Sequence, residues 1–145
     1  MIVFDTNVVS AIMRPHLNPS VFAWSLTIPV HERYGASIVF AEILGGATLL
    51  PHGKRKIQLI ESAHAIFEAY GPRVFSFETR TAYIYADIVG ERRALGRPIS
   101  VQDAMIAAIC RQHGATLATR NVRDFLHLDI PLINPWDVME ITTTP

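Results

Sequence analysis

The sequence predicts an α/β fold in which a central parallel β-sheet is flanked by α-helices. Short β-branched runs alternate with longer segments of helical periodicity along the 145 residues, the pattern of a parallel sheet covered by helices. Half of the residues are hydrophobic and 18% are charged, which excludes a disordered or collagen-like chain. This length suits a single domain, which we expect at residues 1-140, with 141-145 as a short C-terminal tail.

Runs of β-branched and aromatic residues predict four strands. In chain order they are Ile2-Val3-Phe4, Arg73-Val74-Phe75, Thr116-Leu117-Ala118-Thr119 and Pro131-Leu132-Ile133.

Capping residues and helical spacing predict five helices between and beside these strands. They begin at Asn18-Pro19, Ser37, Lys54, Thr79 and Ser100. Ser37 and Ser100 are expected to act as N-caps, because a serine hydroxyl can accept a hydrogen bond from a backbone amide of the first turn. In the helix that begins at Thr79, the inward face is predicted to consist of Ala82, Tyr85, Ala86 and Val89.

Charge and cysteine content exclude several classes of protein. Thirteen basic and 13 acidic residues leave no formal net charge, so binding to nucleic acid through bulk positive charge is not indicated. One cysteine excludes a disulfide framework and a cysteine-based zinc site. We find no secretory signal and no apolar run long enough to cross a membrane, and the expected compartment is the cytoplasm.

The positions of four acidic residues are the most informative feature. Asp5 follows the first strand directly, and Asp124 follows the strand that ends at Thr119. Glu42 and Asp103 lie early in two of the predicted helices. Ligand sites of parallel sheets form beyond the carboxyl ends of the strands, so these four side chains can converge at one edge.

Each acid also has a structural interpretation. Asp103 can serve as a capping-box acid after Ser100, Glu42 as a solvated helix residue, and Asp124 as a turn residue. Asp5 is hardest to explain in this way, because a carboxylate at the end of a buried strand is costly unless it is paired, protonated or bound to a metal.

A cluster of carboxylates without compensating basic residues points to a divalent metal. The carboxylates would repel one another and raise each other's pKa values, and a cation would remove that penalty. Ligands that are all oxygen favour Mg²⁺, with Mn²⁺ as an alternative. Sites of this kind typically hydrolyse phosphodiesters.

Four segments in order resemble the PIN-domain nucleases. They are Ile2-Val3-Phe4-Asp5-Thr6-Asn7, Ala41-Glu42-Ile43-Leu44-Gly45-Gly46, Gln102-Asp103-Ala104-Met105-Ile106-Ala107-Ala108 and Leu117-Ala118-Thr119-Arg120-Asn121-Val122-Arg123-Asp124-Phe125. More narrowly, the chain is similar to the VapC and FitB toxins of type II toxin–antitoxin pairs, and Asn134-Pro135-Trp136 resembles the FitB-like branch.

This resemblance implies a single PIN-like domain with Mg²⁺-dependent endoribonuclease activity, held inactive by a cognate antitoxin. The implied site has Asp5, Glu42, Asp103 and Asp124 as catalytic and metal-binding acids, with Thr6, Thr119 and Asn121 in support. Asn121 stands where some members carry an acid, which leaves the number of metal ions open. The resemblance also implies a homodimer that binds operator DNA only through the antitoxin.

Basic and aromatic residues near the acids are compatible with an RNA substrate. Arg120 and Arg123 are the expected substrate-binding residues, and further phosphate contacts are expected from Arg92, Arg93 and Arg97 unless they lie on solvated helix faces. Unpaired bases could stack on aromatic side chains, unless these belong to the core or a dimer surface: Tyr34, Tyr83 and Trp136.

Two other functions remain open at this point. A catalytically silent PIN-fold binding module would act through the antitoxin and operator DNA. A phosphotransfer protein or aspartate-nucleophile phosphatase could use Asp5, but the phosphatase pattern wants a second acid two residues on, where this chain has Asn7.

Overall fold

Five parallel strands form the central sheet of the computed structural model, which describes residues 1–138; the predicted tail at 141-145 and the end of the predicted domain lie outside the described residues. The strands are β1 (Ile2–Phe4), β2 (Arg33–Ala36), β3 (Val74–Phe75), β4 (Thr116–Ala118) and β5 (Leu132–Ile133), in the spatial order β3-β2-β1-β4-β5. Every neighbouring pair is parallel. The α/β class with a central parallel sheet is therefore confirmed.

Seven helices in the described residues flank the sheet. They are α1 (Thr6–Ile12), α2 (Pro19–Thr27), α3 (Ser37–Thr48), α4 (Lys54–Tyr70), α5 (Thr79–Ala94), α6 (Val101–His113) and α7 (Pro135–Val138). Among the packed pairs, α5 lies against α6 and α3 lies against α4. The core includes fully buried side chains from the central strands and from α5 and α6, such as Val3, Phe4, Ile88, Ile106 and Leu117. No helix of residues 1–138 is long and apolar enough to cross a membrane.

The sequence does not predict two central elements of the fold, α1 and β2. Helix α1 follows β1 without a loop, because Asp5 ends the strand and is also the N-cap of the helix. The residues of β2 include a charge and a glycine, so their composition does not indicate a strand. Ser37, expected as an N-cap, is instead the first residue of α3 and follows β2 directly, with no side-chain capping bond.

Gly35 in β2 is required by close packing, and we predict that Gly35→Ala destabilises the fold. A Cβ at this position would lie 2.9 Å from Cε2 of the Phe40 ring, inside van der Waals contact. The expected loss in the free energy of unfolding is about 1–3 kcal/mol, typical of overpacking, and chemical denaturation would measure it. Gly90→Ala is the matched control, since no atom lies within 4 Å of a Cβ built there. Equal effects of the two substitutions would contradict this interpretation.

The predicted inward face of α5 is wrong at three of its four residues, whereas Tyr85 is half-buried and packs against the core as expected. Ala82 and Ala86 are exposed, and Val89 is 37% exposed. The buried residues of the helix are Thr81, Ile88 and Arg92. Apolar periodicity misplaced the face because two of its buried residues are polar and find partners inside: Thr81 Oγ1 is 2.5 Å from Gln112 Oε1, and Arg92 donates to backbone carbonyls.

Candidate acidic site at the carboxyl edge of the sheet

Asp5 lies at the junction of β1 and α1 and is only 4% exposed. Its backbone N–H donates to the carbonyl of Ala118 (2.9 Å), which continues the pairing of β1 with β4 by one residue. This register brings Thr119 beside Asp5, although 114 positions separate them. Thr119 Oγ1 donates to Asp5 Oδ2 at 2.6 Å, and the Thr6 backbone N–H donates to Asp5 Oδ1 at 2.7 Å.

Asn7 belongs to the same cluster and was missed as a site residue. Its Nδ2 donates to Asp5 Oδ2 at 3.2 Å, while its Oδ1 accepts from the backbone N–H of Arg120 at 3.1 Å. Asn7 therefore connects the first turn of α1 to the segment after β4. The sequence signal for it was only its place two residues after Asp5. Close by, Asn121 contributes its backbone N–H, which donates to Thr119 Oγ1 at 3.0 Å.

Glu42 approaches the cluster from the second turn of α3, the helix that follows β2 directly. Thr6 Oγ1 donates a hydrogen bond to Glu42 Oε2. The carboxylate of Glu42 is close enough to Asp5 that its charge raises the pKa of Asp5. Thr6 thus links both acids: its amide binds Asp5 and its hydroxyl binds Glu42.

Asp103 and Asp124 come from α6 and from a 3₁₀ segment, Val122–Phe125, that follows β4. The Ser100 hydroxyl accepts a hydrogen bond from the Asp103 backbone N–H at 3.2 Å, which confirms the predicted cap. The charges of Asp5 and Asp124 both raise the pKa of Asp103, so these three carboxylates share one electrostatic environment. The two roles of Asp103 are compatible, because its backbone amide forms the cap while its carboxyl group remains near the other acids.

Burial is the main cause of the raised pKa values in this cluster. It raises the pKa of Asp5, with repulsion from Glu42 adding to it and hydrogen bonds from Thr119, Thr6 and Asn7 opposing it. Burial also raises the pKa of Asp103, opposed by its bond with Ser100 and by the charge of Arg92. Within residues 1–138, none of the four predicted acids forms an ion pair with a basic side chain.

The donor set suits a hard divalent cation, although the side chains are not arranged as a finished metal site. Among the described residues, no three Asp, Glu, His or Cys side chains form a group that could hold a metal ion. Thr119 and Thr6 instead hold Asp5 and Glu42 through hydrogen bonds. The available ligands are carboxylate oxygens that disfavour one another's charge, and a cation bound among them would relieve that repulsion.

The basic residues near the acids fall into two groups. Arg120 and Arg123 are exposed, and the guanidinium carbon of Arg120 lies 5.2 Å from the centroid of the Trp136 ring. Arg93 and Arg97 are exposed as well. The expectation that Arg92 contacts phosphate is wrong, because it is 4% exposed and its donors point to backbone carbonyls inside the protein.

The three aromatic residues considered for base stacking have different surroundings. Tyr34 packs face to face with Phe75, with ring centroids 4.8 Å apart, and belongs to the protein interior rather than to a free platform. Tyr83 is 75% exposed on α5. Trp136 is half-buried, with the Arg120 guanidinium over its ring.

The raised pKa values predict a pH dependence of stability in metal-free protein. An acid whose pKa is raised by folding binds its proton more tightly in the native state, so its charge destabilises the fold above the raised pKa. For Asp5 and Asp103 this loss is recovered as the pH falls from neutral through the raised values toward the unfolded value of 3.8.

We therefore expect Asp5→Asn combined with Asp103→Asn to remove part of this dependence. Glu32 and Glu91 have lowered pKa values and act in the opposite direction, so the informative quantity is the difference between wild type and variant. Urea denaturation with chelator, at pH values from neutral to about 4, would measure it. Parallel curves for the two proteins would contradict the assignment of the shifts to these acids.

Comparison with known proteins identifies the family. A PIN domain matches residues 2–131. Toxin FitB of Neisseria gonorrhoeae is 36% identical over 137 residues, which cover 94% of this chain and 99% of that protein. The VapC ribonuclease Y4jK of Sinorhizobium fredii is 31% identical over 138 residues, which cover 94% and 99%. The solved structure of FitAB bound to an IR36 DNA fragment matches with a TM-score of 0.87 and 36% identity, covering 94% of this chain and 96% of that chain.

The family match spans nearly all of the described residues, and the fold with its parallel sheet agrees with the FitAB structure. The chain belongs to the PIN-domain family, in the group that includes toxin FitB and the VapC ribonucleases.

Proposed function

We propose that this protein is a metal-dependent endoribonuclease and the toxin of a toxin–antitoxin pair. The observation that carries the proposal is Asp5, a buried carboxylate near Glu42 and Asp103 that forms no ion pair within residues 1–138. Such an arrangement is costly for the fold alone and is useful where a cation binds. The similarity to toxin FitB and to a VapC ribonuclease supports the same activity.

In this proposal Asp5 and Asp103 are the main ligands of Mg²⁺, for which Mn²⁺ can substitute, and Glu42 and Asp124 complete the site. A bound divalent cation would supply positive charge against the attacked phosphodiester and make water more acidic. The hydroxyl of Thr119 and the amides of Thr6 and Asn7 would hold the Asp5 carboxylate in one orientation.

RNA would lie along the exposed edge beside these acids. Arg120 and Arg123 would contact phosphates there, and the position of Arg120 over Trp136 limits the conformations of its guanidinium before RNA arrives. Asn7 supports the same segment, because its side chain accepts from the Arg120 amide.

The partners proposed for this chain are a cognate antitoxin, a second copy of itself and, through the antitoxin, operator DNA, all in the cytoplasm. The similar structure of FitAB with a DNA fragment supports the antitoxin and the DNA. Exposed apolar side chains on α5, Tyr83 and Val89, support a homodimer by offering a surface for a second copy.

An RNA cleavage assay on antitoxin-free protein tests this function. We expect wild type and Asp87→Asn, an exposed acid of α5, to cleave unstructured RNA with Mg²⁺ and to stop when chelator is added. Asp103→Asn, prepared identically, should not cleave, which also controls for contaminating nuclease. Equal cleavage by Asp103→Asn would contradict the proposed site. Absence of cleavage by wild type would favour the catalytically silent binding module.

A further inference from the structure

Arg92 is a buried cation whose contacts are not explained by the packing of α5 alone. It lies in the last turn of α5 and is 4% exposed. Burying a guanidinium is costly unless its donors are satisfied. Within the described residues it has no carboxylate partner at ion-pair distance. Its hydrogen bonds go to backbone carbonyls, so its position is set by segments of chain rather than by an opposite charge.

Those carbonyls lie in two segments. One is the lead-in to α6, the helix that carries Asp103, and the other contains Asp124 and the residues just after it. Arg92 Nε donates to the carbonyl of Arg97 at 2.7 Å, and the Arg97 amide donates back to the carbonyl of Arg92 at 2.9 Å. Arg97 lies three residues before Ser100, the cap that binds the Asp103 amide. Arg92 Nη1 donates to the carbonyl of Asp124 itself at 2.6 Å and to that of Leu126 at 3.3 Å.

Because Arg92 bonds only to backbone carbonyls, it leaves the carboxyl groups of Asp103 and Asp124 available. The guanidinium holds Asp124 by its main chain, and its charge acts on Asp103 without forming an ion pair. A direct salt bridge would occupy a carboxylate oxygen, whereas a bond to the carbonyl fixes the backbone and leaves the side chain free. The planar fork of arginine also reaches several acceptors in different directions, which a lysine ammonium cannot do with the same geometry.

We propose that Arg92 is a positioning residue that sets the separation of Asp103 and Asp124 by tying the lead-in of α6 to the segment after β4. This inference rests on the proposed function, since it assigns Arg92 to the geometry of the same metal site. Its role differs from that of Arg120 and Arg123, which face solvent beside the acids.

Titration of Mn²⁺ into purified antitoxin-free protein, well below its thermal midpoint, tests this role. Arg92→Lys keeps the positive charge but replaces the planar guanidinium group with an ammonium group. We expect the Kd for Mn²⁺ to rise about 10-fold or more, as for other residues that orient metal ligands. Arg80→Lys, at an exposed position in the first turn of α5, should change the Kd less than about twofold. In an Asp124→Asn background, Arg92→Lys should weaken binding much less, because the ligand it positions is already lost.

These titrations distinguish a failure of the positioning role of Arg92 from a failure of the proposed metal site. If Arg92→Lys lowers the thermal midpoint but binds Mn²⁺ like wild type, Arg92 is only structural and this inference is wrong. If wild type binds no Mn²⁺, the proposed function fails and this role fails with it. If Arg92→Lys does not fold, the side-chain Nε–H resonance of Arg92 in wild type decides, and we expect it to shift on addition of Mg²⁺. An unchanged resonance would overturn the inference.

Discussion

Asp5→Asn should abolish RNA cleavage while the protein remains folded. Asparagine has the same shape and can still accept the hydrogen bond that the Thr6 amide donates, but it lacks the negative charge that would hold a cation. Loss of a residue that only orients a ligand typically costs 10–100-fold, so we expect loss of the ligand itself to lower cleavage more than about a hundredfold. Initial rates of RNA cleavage at saturating Mg²⁺ would measure this effect.

The fold of the Asp5→Asn variant is checked separately. Without metal its thermal midpoint should remain near that of wild type, because removal of a buried charge whose pKa is raised by burial offsets the loss of the bonds that Thr119 and Asn7 donate to Asp5 Oδ2. Asp87→Asn makes the same chemical change at an exposed position of α5 and should leave the rate near that of wild type. Cleavage by Asp5→Asn at more than a tenth of the wild-type rate, about 1.4 kcal/mol in the barrier, would remove Asp5 from the proposed chemistry.

Thr119→Val should weaken metal binding about 10–100-fold through its effect on Asp5. The hydroxyl of Thr119 is buried, donates to Asp5 Oδ2 at 2.6 Å and accepts from the Asn121 amide at 3.0 Å. Valine fills the same volume but leaves the Asp5 oxygen without its shortest hydrogen bond. Cleavage should fall at low Mg²⁺ and recover in part as Mg²⁺ is raised, because the lost function is orientation of a ligand.

Thr116→Val provides the control for this substitution, since Thr116 begins the strand that Thr119 follows and lies away from Asp5. We expect its Kd for Mn²⁺ and its dependence on Mg²⁺ to match those of wild type. An unchanged Kd in Thr119→Val, measured beside Thr116→Val, would mean that the short bond to Asp5 stabilises only the apo protein.

The sequence indicates those residues of the candidate site whose positions are set by the ends of strands, namely Asp5 and Asp124. Asp5 was identified because an acid directly after a buried strand has few structural explanations. The general geometry of parallel sheets also places Asp124 at the same edge, because it follows a neighbouring strand.

The parts that were missed depend on contacts between distant segments or on polar residues turned inward. Asn7 became a site residue only through the bonds that its amide group forms with Asp5 and with the Arg120 backbone. Arg92 was assigned to a solvent-facing role because charged residues are usually exposed, and the carbonyls that satisfy it lie up to 34 positions along the chain. Strand β2 was missed because Gly35 is selected there by the Phe40 ring rather than by strand propensity.

Calorimetric titration of Mn²⁺ into antitoxin-free protein decides whether the acids at this edge hold a divalent cation. Wild type and Asp87→Asn should bind Mn²⁺ with similar affinity. Asp5→Asn combined with Asp103→Asn should show no binding while its thermal unfolding remains cooperative. Binding by the double variant with wild-type affinity would place the cation elsewhere and contradict the proposed site.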